Sequence, residues 1–190
     1  MAKQYSDIDA VQHEFILKQR IFFTGTAAAA SRVNISPRPT DLFRILGPNR
    51  VIYLDLTGSG NETAAHTRAD GRMTIMFCSF EGPPKILRLY GTGRIIRHGT
   101  AEYSELLATY YDGVEPLGAR QIASLEIDLV QTSCGFGVPF FDYVGERPTL
   151  ARWAESKDKD IGLDAYRRQK NQFSIDGLPT GMFEDEEQDA

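Results

Sequence analysis

Apolar residues recur along this chain at two spacings, and each change of spacing marks the boundary of an element. From Ala10 to Arg20, Val11 and Phe15 share one side with Ile16 or Lys18, which predicts a first helix. An apolar run, IFFTGTA from Ile21, and an alternating one, RVNISP from Arg32, predict a hairpin joined through Ala29 to Ser31. Pro37 and Pro39 are expected to stop its second strand, because proline donates no ladder hydrogen bond. Three further strand-like runs follow: VIYLDL from Val51, RMTIMFCSF from Arg72 and ILRLYGTGRII from Ile86. Leu106, Leu107 and Tyr110 fall on the inner face of a helix predicted over Thr100 to Tyr111. The run QIASLEIDLVQTS alternates Ile122, Leu125, Ile127 and Leu129 toward a core. Beyond Gly145 the spacing becomes helical again, with Pro148 near the start and Leu150, Trp153 and Ala154 in phase.

Six strands interrupted by short helices suit a closed or partly closed antiparallel barrel better than a parallel sheet, whose crossovers are longer and more regular. With 190 residues, 42% of them hydrophobic, the chain can bury one substantial core. The organisation expected is a barrel over residues 1–145, a helical extension packed on the same domain over 146–183, and a solvated acidic tail over 184–190. The net charge is −5 and no helix or face carries a basic stripe, which argues against nucleic acid as a partner. The start, MAKQYSDIDAVQHEF, lacks a signal-peptide layout, and no apolar run reaches the roughly eighteen residues of a membrane span. A cytoplasmic protein with no membrane partner is therefore expected. Cys78 lies in an apolar strand and reads as a small buried hydrophobe, and His13, His66 and His98 are not spaced as zinc-ligand pairs.

Candidate chemistry concentrates between Val51 and Ile96. There VIYLDL runs into TGSGNETAAH, a turn and helix start whose backbone and hydroxyl donors suit an anion such as a phosphate. Ser59 and Glu62 also match the S-x-x-E capping box, a structural role that needs no ligand. His66, one turn beyond Glu62, reads as a satisfied histidine or as a group facing a cofactor. Cys134 lies in SCGFGVP, where glycines permit close approach of a ligand, but no adjacent His or Lys is present to activate the thiol. Gly91 and Gly93 lack the third glycine of a dinucleotide fingerprint and read as a barrel bulge, and Trp153 reads as a core or dimer contact.

RVNISP, the VIYLDL strand entering TGSGNETAAH, and RMTIMFCSF followed by RLYGTGRI resemble the FMN-binding split barrel of the pyridoxamine 5′-phosphate oxidase family. DLTGSGNETAAH, FCSFEGPPKILRLYG and SCGFGVP resemble one branch of that family more closely. The resemblance runs from Phe15 to Pro139, with a weaker extension at FSIDGLP. It implies a mainly β (α+β) fold, a six-stranded antiparallel split β-barrel with peripheral helices, forming a homodimer with two FMN sites at the subunit interface. Carried over residue by residue, the flavin would lie along Arg32, Val33, Asn34, Ile35 and Ser36, then beside Asp55 and Leu56. The family's Arg-Lys phosphate pair falls on Asn61 and Glu62, and a carboxylate there would repel a phosphate. Compensation is expected from the hydroxyls of Thr57, Ser59 and Thr63, from backbone N–H groups of the turn, and from Arg32, Arg72 or Arg88.

The substrate side of the pattern departs further. The family's Arg-x-His-x-Arg element is replaced by DAYRRQKNQF, and Tyr110 is followed by DGVEP without the expected arginine. The resemblance therefore implies an FMN-dependent oxidoreductase acting on a small organic substrate other than pyridoxamine 5′-phosphate. The alternatives are a flavin-binding protein without turnover and a relative that holds a deazaflavin or haem.

Overall fold

The structure is a computed structural model in which residues 2–184 are described. Positions 185–190 of the expected acidic tail lie outside the described residues. Eight strands form one antiparallel sheet: β1 (Lys3–Tyr5), β2 (Ile21–Thr26), β3 (Asn34–Pro39), β4 (Phe43–Gly47), β5 (Arg50–Leu56), β6 (Arg72–Cys78), β7 (Ile86–Arg97) and β8 (Ala119–Ser133). The strand order is β3-β2-β6-β7-β8-β5-β4, with β1 added to β8. Among the described residues five α-helices accompany it: α1 (Ala10–Lys18), α2 (Glu62–Ala69), α3 (Ala101–Tyr110), α4 (Thr149–Asp160) and α5 (Leu163–Lys170). The six strands expected from the sequence are all present; β1 and β4 are additional.

Curling of the sheet follows from what its inner face must bury. Phe22 on β2 and Phe43 on β4 belong to opposite ends of the strand path, yet their rings lie 5.0 Å apart. Tyr53 and Phe77 complete the cluster, with Phe22–Tyr53 at 5.3 Å and Phe43–Phe77 at 5.2 Å. Fully buried Val51, Ile75, Leu87, Leu89 and Leu125 surround these rings. A second apolar layer, containing Ile52, Leu54, Ile96 and Ile122, packs under Tyr103 and Leu106 of α3. The outer face of the sheet is thus covered there as well.

Three local expectations are corrected. Pro37 and Pro39 do not stop the second strand of the hairpin: both lie within β3, opposite Phe23 and Ile21. Because β3 pairs only with β2 among the described residues, a missing N–H there interrupts no second ladder. Helix α1 turns Gln12 and Ile16 inward and leaves Val11 65% exposed. Its start is fixed by a capping box in which Asp9 accepts from Gln12 N at 2.7 Å while Gln12 Oε1 accepts from Asp9 N at 3.0 Å. On β8 the core phase slips, because Tyr90 pairs with Leu129 whereas Gly91 pairs with Ile127. This bulge buries Val130 in place of Leu129. At Gly91 a Cβ would run into the Glu126 backbone carbonyl, so glycine is needed where β7 approaches β8.

The C-terminal extension is anchored to the end of the barrel. Arg167 on α5 donates to Thr57 Oγ1 at 2.9 Å and to the Ala119 carbonyl at 2.8 Å. Trp153 meets Tyr166 edge-on at 5.0 Å, joining α4 to α5. Among the described residues no helix is long and apolar enough to cross a membrane.

Candidate functional site

The end of β5 delivers a carboxylate into the protein interior, and the surrounding elements are arranged to neutralise it. Asp55 is fully buried. Its carboxylate accepts from Arg120 Nε at 3.0 Å and Gln121 Nε2 at 2.8 Å, both from β8, and from Arg38 Nη1 on β3. Burial alone would push this carboxyl up, but Arg120 and Arg38, helped by the Gln121 amide, hold it below the ordinary aspartate range. The Arg38 guanidinium also lies over the Tyr53 ring, 4.7 Å from its centroid. Arg120 continues to the Gly60 carbonyl at 2.8 Å and Asn171 Oδ1 at 3.0 Å, while Gln121 reaches Asn61 Oδ1 at 2.8 Å. Asp55 is therefore the anchor of the turn from β5 into α2, and its own lone pairs are spent on that task.

Helix α2 packs across β7, β2 and β6 and carries the densest group of buried polar atoms. His66 is completely buried and shares a hydrogen bond between Nδ1 and Thr26 Oγ1 at 3.1 Å. His66 Nε2, Glu62 Oε2, Thr63 Oγ1, Asn61 Nδ2 and the Tyr53 hydroxyl are buried without a hydrogen-bond partner. The first two face each other at 3.9 Å. Unpaired buried groups are rare in folded proteins, and although the Tyr53 hydroxyl lies close enough to Thr63 for the two to satisfy each other, the Asn61, Glu62 and His66 atoms point to water or a ligand that completes them. The expected Ser59–Glu62 capping box is absent. Asn61 is the N-cap and makes no side-chain capping bond, Ser59 is exposed, and Glu62 Oε1 instead accepts from the backbone of Ile175 at 2.9 Å. The N-terminus of α2 is held through tertiary bonds rather than by a local cap.

Strand β3 lies beside this group. Asn34 donates to Thr26 Oγ1 at 3.3 Å and Ser36 to Asn34 Oδ1 at 3.1 Å, tying the inward residues to the His66 network. Val33 and Ile35 point outward, each 69% exposed. The outer edge of β3 has no strand partner among the described residues, and since Pro37 and Pro39 carry no N–H, its backbone donors come from Asn34, Ile35, Ser36 and Arg38 alone. Arg32, just before the strand, is engaged by Asp176: the carboxylate accepts from the Arg32 backbone N–H at 2.7 Å and from its guanidinium. These contacts, the backbone N–H first, hold the Asp176 carboxyl below its usual range.

Other expected contacts fall elsewhere. Thr57 donates to the Gly118 carbonyl at 2.8 Å and accepts from Arg167, so its hydroxyl serves the α5 side. Leu56 and Thr57 line a cavity of about 230 Å³ with Leu117, Leu150 and Ala154, outside the polar group around His66. Arg88 donates to Ser133 on β8 at 3.2 Å, and Arg72 is taken up by Asp70 at 2.5 and 2.9 Å. Cys134 is exposed and shares a second cavity of about 320 Å³ with Gln12, Ser133 and Lys85, a lysine that its neighbours in sequence do not reveal. Sequence reasoning missed Arg38, Tyr53, Arg120, Gln121, Asn171 and Asp176. A signal for the network was present, since Asp55 and the Arg120–Gln121 pair are polar residues inside otherwise apolar strands.

The family's cofactor can be tested against this geometry. The free β3 edge and the unpaired Thr63, Asn61, Tyr53 and His66 atoms fit the polar ring edge and hydroxylated chain of a flavin. The phosphate grip does not fit, because Arg32 already holds a carboxylate and α2 begins with Glu62.

A curled antiparallel sheet whose terminal strands β3 and β4 do not pair, with a helix seated across it, defines a split-barrel protein. The chain belongs to the pyridoxamine 5′-phosphate oxidase family, whose profile matches residues 8–134. The pyridoxamine 5′-phosphate oxidase family protein ustO of Aspergillus flavus is 38% identical over 191 aligned positions, covering 92% of this chain and 76% of ustO. Among solved structures, a single-residue variant of HupZ from Group A Streptococcus superposes with a TM-score of 0.54 at 20% identity, covering 66% of this chain and 99% of HupZ. A candidate pyridoxamine 5′-phosphate oxidase from Lactobacillus delbrueckii does so at 0.52 and 14% identity, covering 66% of this chain and 94% of its own. At these identities the two structures speak for the fold alone.

Proposed function

We propose that this chain is a flavin-binding oxidoreductase acting on a small organic substrate, and that it works as a homodimer. The observation that carries this reading is the unpaired edge of β3 beside a buried group of unsatisfied polar atoms at the start of α2. A flavin ring presents acceptor, donor and acceptor in sequence along its pyrimidine edge, which complements the N–H and C=O groups of the Asn34–Ser36 part of the β3 edge, ahead of Pro37. Asn61, Thr63 and Tyr53 would hold and orient the hydroxylated chain, while the Asp55–Arg38–Arg120 network keeps β3, β5 and β8 in place around it. When bound, the flavin supplies hydride or single-electron transfer, and the protein contributes position and electrostatics. FMN is the form that family membership suggests.

The second copy is suggested by apolar surface. Val33, just before β3, and Ile35 on it are exposed, and so are Phe136, Phe140, Phe141 and Val144 of the segment after β8. A second barrel laid across β3 would cover the apolar residues exposed there and shield a flavin from water.

The absorption spectrum of freshly purified protein, followed by FMN titration, tests the reading. Oxidised-flavin bands, or saturable FMN binding, that bleach on adding a reduced nicotinamide under anaerobic conditions are expected. A Soret band would replace the reading with a haem-binding one, and a colourless protein that takes up no flavin would remove it.

A further inference from the structure

Asp176 lies 144 residues from Arg32 in sequence, yet its two carboxylate oxygens meet the two donors that Arg32 offers, the backbone N–H and the guanidinium. Convergent donors of this kind make an anion receptor. Its occupant here is a side chain held by a built loop rather than a wandering tail. Ser174 N donates to the Leu178 carbonyl at 2.8 Å, and Ser174 Oγ accepts from Asp176 N at 3.2 Å and from Leu178 N at 3.0 Å. Gly177 takes the left-handed conformation, with φ of 81°, that this tight tip requires. The base of the loop is fixed by completely buried Asn171, which accepts from Arg120, donates to the Gly58 carbonyl at 3.0 Å and receives Thr180 Oγ1 on its own carbonyl at 2.8 Å.

The same tip reaches the start of α2 through the bond from Ile175 N to Glu62. Both places where a flavin phosphate would be gripped are therefore occupied. One holds the Asp176 carboxylate, which is 13% exposed, and the other presents the carboxylate of Glu62. A phosphate approaching Arg32, whose side chain is 74% exposed, would compete with the Asp176 carboxylate for the same donors and be repelled by it and by Glu62.

We propose that Asp176 is the chain's own counter-anion for Arg32, standing where a ligand phosphate would stand, and that it makes the site indifferent to the terminal phosphate of a flavin. Riboflavin is then bound as tightly as FMN. The inference rests on the flavin reading above, and its test separates the two.

Riboflavin and FMN are titrated by fluorescence quenching against the wild-type protein, Asp176→Ala and Asp176→Asn. In the wild type the two dissociation constants agree within about threefold. In the variants the preference moves at least about tenfold toward FMN, the scale expected when a charged donor is released to a phosphate, and adding Arg32→Ala abolishes the shift. A wild-type preference for FMN of tenfold or more that disappears in Arg32→Ala overturns the proposal, because the phosphate then displaces Asp176. Inorganic phosphate is the second probe, read as the thermal midpoint of unfolding. It leaves the wild type unmoved and raises the midpoint of Asp176→Asn, a change that preserves the side-chain shape and so keeps the loop folded. An Arg32-dependent rise in the wild type, or no rise in Asp176→Asn, overturns the proposal. If neither flavin binds any form while phosphate behaves as expected, the flavin reading fails and the role of Asp176 as counter-anion stands.

Discussion

Glu62 Oε1 accepts the backbone N–H of Ile175 at 2.9 Å, so the residue that opens α2 is bonded to a loop 113 positions further along the chain. Its other oxygen, Oε2, is buried without a partner, 3.9 Å from the equally unpartnered His66 Nε2. Glu62→Ala should destabilise the protein by about 1.5–3 kcal/mol, the worth of a hydrogen bond to a charged group. Glu62→Gln keeps the acceptor and adds an amide donor beside His66, so it should be neutral or stabilising. Chemical denaturation ranks the two, and faster amide exchange at Ile175 is expected in the alanine variant alone. Equal loss in both variants would mean that the charge, not the hydrogen bond, holds the loop.

Asp55 provides the test with the largest expected effect. Asp55→Ala leaves the guanidiniums of Arg38 and Arg120 buried without their counter-charge, which should cost about 3–5 kcal/mol. The same pair predicts a pH dependence. Since the Asp55 carboxyl is held below its unfolded value of about 3.9, the unfolded chain binds this proton more readily, and the stability it contributes is present above that value and lost as pH falls through the folded one. Acid titration of the unfolding midpoint should show a steep loss below about pH 4 in the wild type. In Asp55→Asn the acid slope should be shallower by about one proton, and an unchanged slope would detach acid sensitivity from this network.

How far the sequence discloses the fold depends on how local the controlling interactions are. The strands at Ile21, Val51, Arg72 and Leu87 are legible because β-branched and aromatic residues fill them. β1 is only three residues long, Lys3 to Tyr5, with Tyr5 alone packing on the core, and is a strand because β8 offers it an edge, with Tyr5 opposite Val130. The apolar β4 is hidden by its brevity and by the prolines of β3 before it. At the site the difficulty is sharper. Ser59 and Glu62 satisfy a local capping pattern, but Ile175 outcompetes Ser59 for the carboxylate. Arg32 reads as a free phosphate ligand only until Asp176 is known to be near.

Gly91 tests the one glycine reading that the structure bears out, the bulge opposite Ile127. Gly91→Ala would drive a methyl into the Glu126 carbonyl, and because that atom is backbone the strands must separate. A loss of about 1–3 kcal/mol or more is expected, above the ordinary range for a surface strand substitution. The control is Gly47→Ala, where a Cβ meets nothing within 4 Å. Thermal unfolding of the two variants should differ by several degrees, and equal midpoints would show that the bulge relaxes freely.

The proposed dimer predicts that apolar residues left exposed on one chain are covered by another. Light scattering at micromolar concentration should give twice the mass of a single chain. Phe140→Asp, at a residue 78% exposed here, should leave the fold intact by circular dichroism while dissociating the dimer and weakening flavin uptake. A wild-type monomer that retains flavin would remove the second copy from the proposed site.

Pyridoxamine 5′-phosphate should not be oxidised at a useful rate. A phosphate-bearing substrate needs cations that are free to meet it, and the arginines nearest in sequence to the missing family elements are committed. Arg167 is bound to Thr57 and the Ala119 carbonyl and pairs with Asp164 at 2.9 Å, while Arg168 lies over the Phe183 ring at 4.3 Å. Each 1.36 kcal/mol of missing transition-state stabilisation slows a reaction about tenfold, so the absence of two or three charged contacts, at about 1.5–3 kcal/mol each, amounts to several orders of magnitude. Aldehyde formation, assayed with saturating FMN and catalase present, should stay near background. Reduction of the bound flavin by a nicotinamide donor should proceed in the same preparation. Turnover at an ordinary enzymatic rate would require Arg167 or Arg168 to abandon the contacts seen here, and Arg167→Ala would then lower kcat/KM for that substrate while leaving flavin affinity unchanged.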